Sequence, residues 1–141
     1  KTSAKVITAI TVVGVILLLI WMCGIFVNME FTKIGLRMNE NQIEILSGGY
    51  DYTFSDKEIQ DVEVVEELPD EKLNRTNGAS TSDYLLGKFR GSQSGELRLY
   101  IYRGYSPILK IKLPEFTIYI NSKEPEEVET WYETLRIKQI Q

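Results

Sequence analysis

A chain of 141 residues, 43% hydrophobic and 26% charged with a formal net charge of −4, has room for one small domain and one membrane segment. It has no histidine and a single cysteine, Cys23, so zinc, haem and iron–sulfur sites lack their usual ligands, a Cys–His or Ser–His pair cannot be assembled, and no intramolecular disulfide can form. Its twenty Asp and Glu read as solvated surface of a small β domain rather than as catalytic groups, so the expectation is a protein that is not an enzyme and carries no cofactor.

No charged residue occurs between Lys5 and Glu30. The run over residues 6–27, VITAITVVGVILLLIWMCGIFV, is long enough to cross a bilayer at about 1.5 Å rise per residue. A cleaved signal peptide would have a shorter apolar core and small residues at a cleavage site, a pattern that Cys23-Gly24-Ile25-Phe26 lacks. A buried helix of a soluble domain would need a larger domain around it, and a lipoprotein cysteine would not lie this deep in the run. The sequence therefore predicts a transmembrane anchor over residues 1–30 and a second domain over 31–141. Lys1 and Lys5 flank one end of the run, Lys33 and Arg37 the other. A terminal amine beside Lys1 adds one positive charge there, which tips the expectation toward a single-pass cell-membrane protein with its domain extracytoplasmic.

From Phe31 onward the pattern is one of short strands and turns. Residues 35–38 and 42–46 flank a turn at Asn39-Glu40-Asn41, with Ile43 and Ile45 facing inward. Gly48-Gly49 makes a second turn or bulge. Tyr50, Tyr52 and Phe54 alternate with Asp51 and Thr53, residues 55–58 form a short corner, and Val62 and Val64 alternate with acids. Residues 68–83 are expected to be one long loop, containing Pro69 and Asn77-Gly78 and rich in Ser, Thr and Asn. Leu85, Gly87 and Phe89 resume the alternation, and residues 91–95 close a hairpin.

Three further strands are read from strict alternation. Leu97, Leu99 and Ile101 alternate with Arg98, Tyr100 and Tyr102. Leu109, Ile111 and Leu113 alternate with Lys110 and Lys112, and Phe116, Ile118 and Ile120 alternate with Thr117 and Tyr119. Such strands predict an antiparallel sheet with one dry face. A helix follows at Glu124-Pro125-Glu126-Glu127, with proline at its first position and acids at its positive end. Its stripe of Val128, Trp131, Tyr132 and Leu135 is expected to cover the dry face that these three strands share, with Leu97, Leu99 and Ile101 beside Leu109, Ile111, Leu113, Phe116, Ile118 and Ile120. The fold class predicted is α+β, mainly β, with seven or eight short strands and no internal repeat; no P-loop, dinucleotide or EF-hand motif is present.

This order of elements resembles the small membrane-anchored members of the bacterial pleckstrin-homology-like (PH) domain family. The residues that carry the resemblance are Asn77-Gly78, Gly87-Lys88-Phe89, Gly95-Glu96-Leu97-Arg98-Leu99-Tyr100, Pro107-Ile108-Leu109-Lys110-Ile111 and Tyr119-Ile120-Asn121, ahead of Pro125 and Tyr132. The resemblance implies a PH-like barrel of about seven antiparallel strands in two packed, nearly orthogonal sheets, with the helix plugging one open end. Glu124 stands where the resemblance leads to Asp before the proline, and Glu is the weaker N-cap, so a looser first helical turn is expected. PH domains that hold phosphoinositide headgroups use clustered Lys and Arg in the first hairpin. The corresponding turn here, Asn39-Glu40-Asn41, carries no base, so phosphoinositide binding is not expected.

Charge is segregated along the chain. Residues 40–71 carry eleven acids and one base, giving −10; residues 72–112 carry eight bases and two acids, giving +6. The first block is expected on the first sheet and the second block on the second. Alternation predicts that Lys88, Arg90, Arg98, Lys110 and Lys112 share a wet face with Tyr100, Tyr102 and Tyr119. Bases interleaved with aromatics suit an acidic protein segment, anionic lipid or nucleic acid, while an ordinary solvated face with cross-strand charge pairs has the same pattern. Nucleic acid is not an expected partner of an acidic, membrane-tethered domain. The reading is a membrane-anchored, non-catalytic interaction module of a bacterial envelope protein, binding a protein partner or supporting a membrane complex. An envelope sensor or anionic-lipid-contacting domain is the alternative.

Overall fold

A computed structural model of the chain describes residues 3–28 and 33–140. The chain divides into two units, Lys1–Phe31 and Thr32–Gln141. The boundary expected between residues 30 and 31 lies outside the described residues, as does Lys1 of the orientation argument.

The first unit is helix α1, Ala4–Asn28. Its segment Ala4–Gly24 has a mean hydropathy of 2.8 and is exposed along its length, long and apolar enough to cross a membrane. Ser3 caps the helix, its Oγ accepting the Val6 N–H at 3.3 Å. The hydroxyls of Thr8 and Thr11 donate back to the Ala4 and Ile7 carbonyls at 2.8 and 2.9 Å. The Thr8 and Thr11 hydroxyls are thereby satisfied within the helix itself, as an apolar surrounding requires.

In the second unit, strands β1 (Gly35–Met38), β2 (Gln42–Leu46) and β3 (Tyr52–Ser55) form a three-stranded antiparallel sheet. Ser55 and Glu58 cap the 3-10 turn Asp56–Glu58 from both sides, as a capping box. Strands β4 (Asp61–Val65), β5 (Leu73–Ser80), β6 (Tyr84–Gly91), β7 (Gly95–Tyr102), β8 (Ile108–Lys112) and β9 (Thr117–Ile120) form a six-stranded sheet in the order β4-β8-β9-β7-β6-β5. Every pair is antiparallel except β7 with β9, because β9 enters the sheet between β7 and β8. The described residues thus hold nine strands, more than the seven or eight read from alternation.

The extra strand is β5, which replaces most of the loop expected over residues 68–83. It pairs with β6 from Leu73 opposite Gly91 to Ser80 opposite Leu85, with a bulge between Arg75 and Asn77. Its middle, from Asn74 to Asn77, is exposed on both faces, so backbone pairing rather than apolar alternation holds it. Gly78 and Gly87 face each other where these strands approach. A Cβ at Gly78 would stand 2.0 Å from the Leu86 carbonyl oxygen, and Gly87 takes a φ of +105°.

Strand β7 also departs from expectation, because it is buried on both faces. Tyr100 and Tyr102 point into the main core with Ile43, Ile45, Ile111, Ile118 and Ile120, between the two sheets and beneath the helix. Leu97, Leu99 and Ile101 point the other way, into a second cluster with Leu85, Phe89, Ile108 and Tyr119. The helix stripe therefore packs over the expected residues of β8, β9 and the link between them, Leu109, Ile111, Leu113, Ile118 and Ile120, but over the opposite face of β7. Alternation failed here because a tyrosine ring packs as an apolar body once its hydroxyl is bonded. The Tyr100 hydroxyl donates to the Tyr50 carbonyl at 3.0 Å, and the Tyr102 hydroxyl accepts the Ile34 N–H at 2.8 Å. Both bonds run from the six-stranded sheet to the chain of the three-stranded one.

The second cluster is crossed by the link between β4 and β5, which are the opposite edges of the sheet. Eight residue steps from Val65 to Leu73 reach at most about 29 Å. In a flat sheet these residues would stand about 31 Å apart, five strand spacings of about 4.8 Å across and six rises of about 3.3 Å along. The sheet must coil for the link to close. Leu68 packs into the second cluster, and Glu71 anchors the far end, accepting from Ser94 N–H and Oγ, each at 3.0 Å.

Helix α2, Pro125–Ile140, lies against β4, β8 and the 3-10 turn, burying Val128, Trp131 and Leu135. Its start is tighter than the weak cap at Glu124 suggests. Ser122, buried, accepts the Glu124 N–H at 3.1 Å and donates to the Glu127 carboxylate at 3.0 Å. At the other end Lys138 donates to the Asn39 and Glu40 carbonyls at 3.2 and 3.0 Å, tying the helix to the first hairpin turn.

Candidate functional site

The eight residues expected on one wet face divide between two faces. The strand registers put Lys88, Arg90, Arg98, Tyr100 and Tyr102 on the face toward the three-stranded sheet. Lys110, Lys112 and Tyr119 lie on the opposite face with Leu99. All three tyrosines are buried.

On the second face the charge blocks meet rather than separate. Acidic β4 lies in the same sheet as basic β8, with Asp61 opposite Lys112 and Glu63 opposite Lys110. Lys110 Nζ lies 3.7 Å from the Glu63 carboxylate and 6.0 Å from the centre of the Tyr119 ring. Burial pushes the Tyr119 phenol above its ordinary pKa, against the pull of Lys110. Segregation by sheet is thereby corrected, because cross-strand pairing brings the two blocks together.

On the first face Arg90 is paired to Glu96, its Nε donating at 2.8 Å. Arg98 is held differently. Its guanidinium lies 4.3 Å from the centre of the Tyr52 ring and 4.4 Å from that of Phe116, and those two rings pack edge to face at 5.4 Å. The guanidinium thus sits in the corner that the two rings make, which restrains it and leaves its outer edge as the place for a ligand. No carboxylate among the described residues forms an ion pair with it. Lys88, exposed, is its cross-strand partner. Two recesses flank this pair, one of about 140 Å³ toward Tyr50, Asp51 and Asn77, the other of about 210 Å³ toward Glu115 and Phe116. Buried Tyr100 beneath Arg98 has its phenol pKa raised by desolvation, with Arg98 opposing.

A further hollow went unread in the sequence. The turn after β7 is pinned by Asn121, which is buried and mimics a strand partner. It accepts the Tyr102 N–H at 2.7 Å and donates to the Tyr102 and Tyr105 carbonyls at 2.9 and 3.0 Å. The pinned turn leaves Tyr105 42% exposed over a groove of about 370 Å³. A lone Tyr and a lone Asn at turn positions carry no periodic signal.

Two packed sheets, the smaller made by the first three strands, and a carboxyl-terminal helix against them define a PH-like domain. A family model for the bacterial PH domain matches residues 34–138, and the chain belongs to that family. No curated protein and no solved structure matches it.

Proposed function

We propose that the chain is a membrane-anchored, non-catalytic interaction module, with residues 1–30 as anchor and residues 31–141 as a PH domain that binds a protein partner. The observation that carries the reading is the exposed, membrane-length helix Ala4–Gly24, free of charge after Lys5, in the same chain as a PH domain. The contact assigned to the partner is an acidic segment at Lys88 and Arg98. Arg98 supports this because it is held by stacking rather than by a carboxylate, which leaves in-plane donors suited to a bidentate oxyanion. Lys112, exposed at the end of β8, lies on the opposite face and is outside this contact. Lys110, Arg90 and the three buried tyrosines support the fold around it.

The test uses the full chain in phosphatidylcholine nanodiscs and a fluorescein-labelled Asp-Gly repeat peptide. Lys88→Glu is expected to slow association and flatten its salt dependence, because an exposed charge acts mainly on encounter. Binding that is unchanged by Lys88→Glu overturns the site. Binding to vesicles containing phosphatidylglycerol but not to the peptide moves the function to lipid contact.

A further inference from the structure

The groove beside Tyr105 has a chemistry opposite to that of the Arg98 recess. Leu85, Ile101 and Ile108 form its apolar floor, and Glu66 and Glu67 stand on its lip. Both glutamates are exposed. The one cation in the lining, Arg103, is turned to the β5–β6 connection. Its Nε donates to the Thr81 carbonyl at 2.6 Å and its guanidinium to Ser80 Oγ at 3.0 Å. The mouth thus presents two exposed carboxylates beside an apolar floor, with Tyr105 as an exposed aromatic wall. Tyr105 stacks edge to face on Tyr102 at 6.2 Å and its carbonyl is held by Asn121, so the wall is built in advance of any ligand. A volume of about 370 Å³ falls at the small end of pockets that enclose ligands, enough for an anchoring side chain or two.

We propose that this groove docks a protein segment in which an apolar anchor is flanked by Lys or Arg: the apolar side chain on the Leu85–Ile101–Ile108 floor, the cations on Glu66 and Glu67. Charge complementarity selects that occupant over an acidic segment and over an anionic lipid surface, both of which the lip repels. The site is separate from Lys88 and Arg98, so its failure leaves the reading of that recess standing.

The test again uses the full chain in phosphatidylcholine nanodiscs, with three labelled peptides followed by fluorescence anisotropy. Each carries one core between Gly-Ser flanks: Arg-Leu-Leu-Arg, Glu-Leu-Leu-Glu or Arg-Ser-Ser-Arg. The first is expected to bind about tenfold tighter than either control. The Glu66→Gln, Glu67→Gln double variant should weaken it by about fivefold and remove its salt dependence. Tyr105→Ala should weaken it without changing that dependence. Equal binding of the three peptides, no binding of the first, or binding that neither variant alters overturns the proposal.

Discussion

The Tyr102 hydroxyl accepts the Ile34 N–H at 2.8 Å, joining the last residue of β7 to the backbone just ahead of β1, 68 positions away. Both groups are buried, so removing the hydroxyl strands an amide in the core. Tyr102→Phe is expected to cost about 1–3 kcal/mol. For a domain of this size that lowers the melting temperature by about 4–8 °C per kcal/mol. Thermal unfolding of the full chain, followed by far-UV circular dichroism, checks this; a melt matching the parent contradicts it.

Gly91 leaves room for the Glu71 carboxylate beside Ser94. A Cβ there would stand 1.7 Å from Glu71 Oε1, so Gly91→Ala must expel the carboxylate from Ser94. A loss of about 1–2 kcal/mol is expected. In a Glu71→Ala background the same change should cost much less, since the two residues act through one contact. Urea titrations of the four proteins in that cycle read the coupling, and additive costs would dismiss the contact.

Trp131 fills the space between α2 and the sheet, 6% exposed. Trp131→Ala should cost about 3–5 kcal/mol through the cavity it leaves, a large share of a small domain's stability. Chemical denaturation of the variant with a midpoint close to the parent's would refute that packing.

Two buried phenols set an alkaline limit. Tyr100 and Tyr119 have folded pKa values above their unfolded ones, each through desolvation. The contribution of a raised group is fully present below the unfolded value of about 10 and is lost as pH rises through the folded pKa. Stability should therefore hold to about pH 10 and fall above it. Tyr100→Phe, although weaker overall for want of its bond to Tyr50, should show a shallower fall. An equal slope in parent and variant, measured by urea unfolding at successive pH values, would count against Tyr100.

Much of the fold was legible because burial leaves a period. Ile43 and Ile45 marked β2, Ile111 marked β8, Ile118 and Ile120 marked β9, and Val128, Trp131 and Leu135 marked the inner stripe of α2. Proline at the first helical position placed the start of α2 at Pro125. The membership in the PH family was legible too, from Gly87-Lys88-Phe89 through Tyr119-Ile120-Asn121, within the matched span. The candidate site was legible only as residue types. Arg98 and Lys88 could be named, but not the contact of Arg98 with the Tyr52 and Phe116 rings, which arrive from other elements.

What the linear pattern determined was the list of elements that a local polarity pattern marks: the apolar helix, the alternating strands and the striped helix. Polarity differences are local, so a local reading finds them. Tertiary packing decided the rest. It turned Tyr100 and Tyr102 inward because partners at Tyr50 and Ile34 satisfied their hydroxyls. It made β5 a strand because Gly78 and Gly87 allowed two polar backbones to meet. It also set acidic β4 against basic β8, so that charges distant in sequence cancel in space. In each case the deciding free energy belongs to a contact between remote residues, and a single stretch of sequence does not contain it.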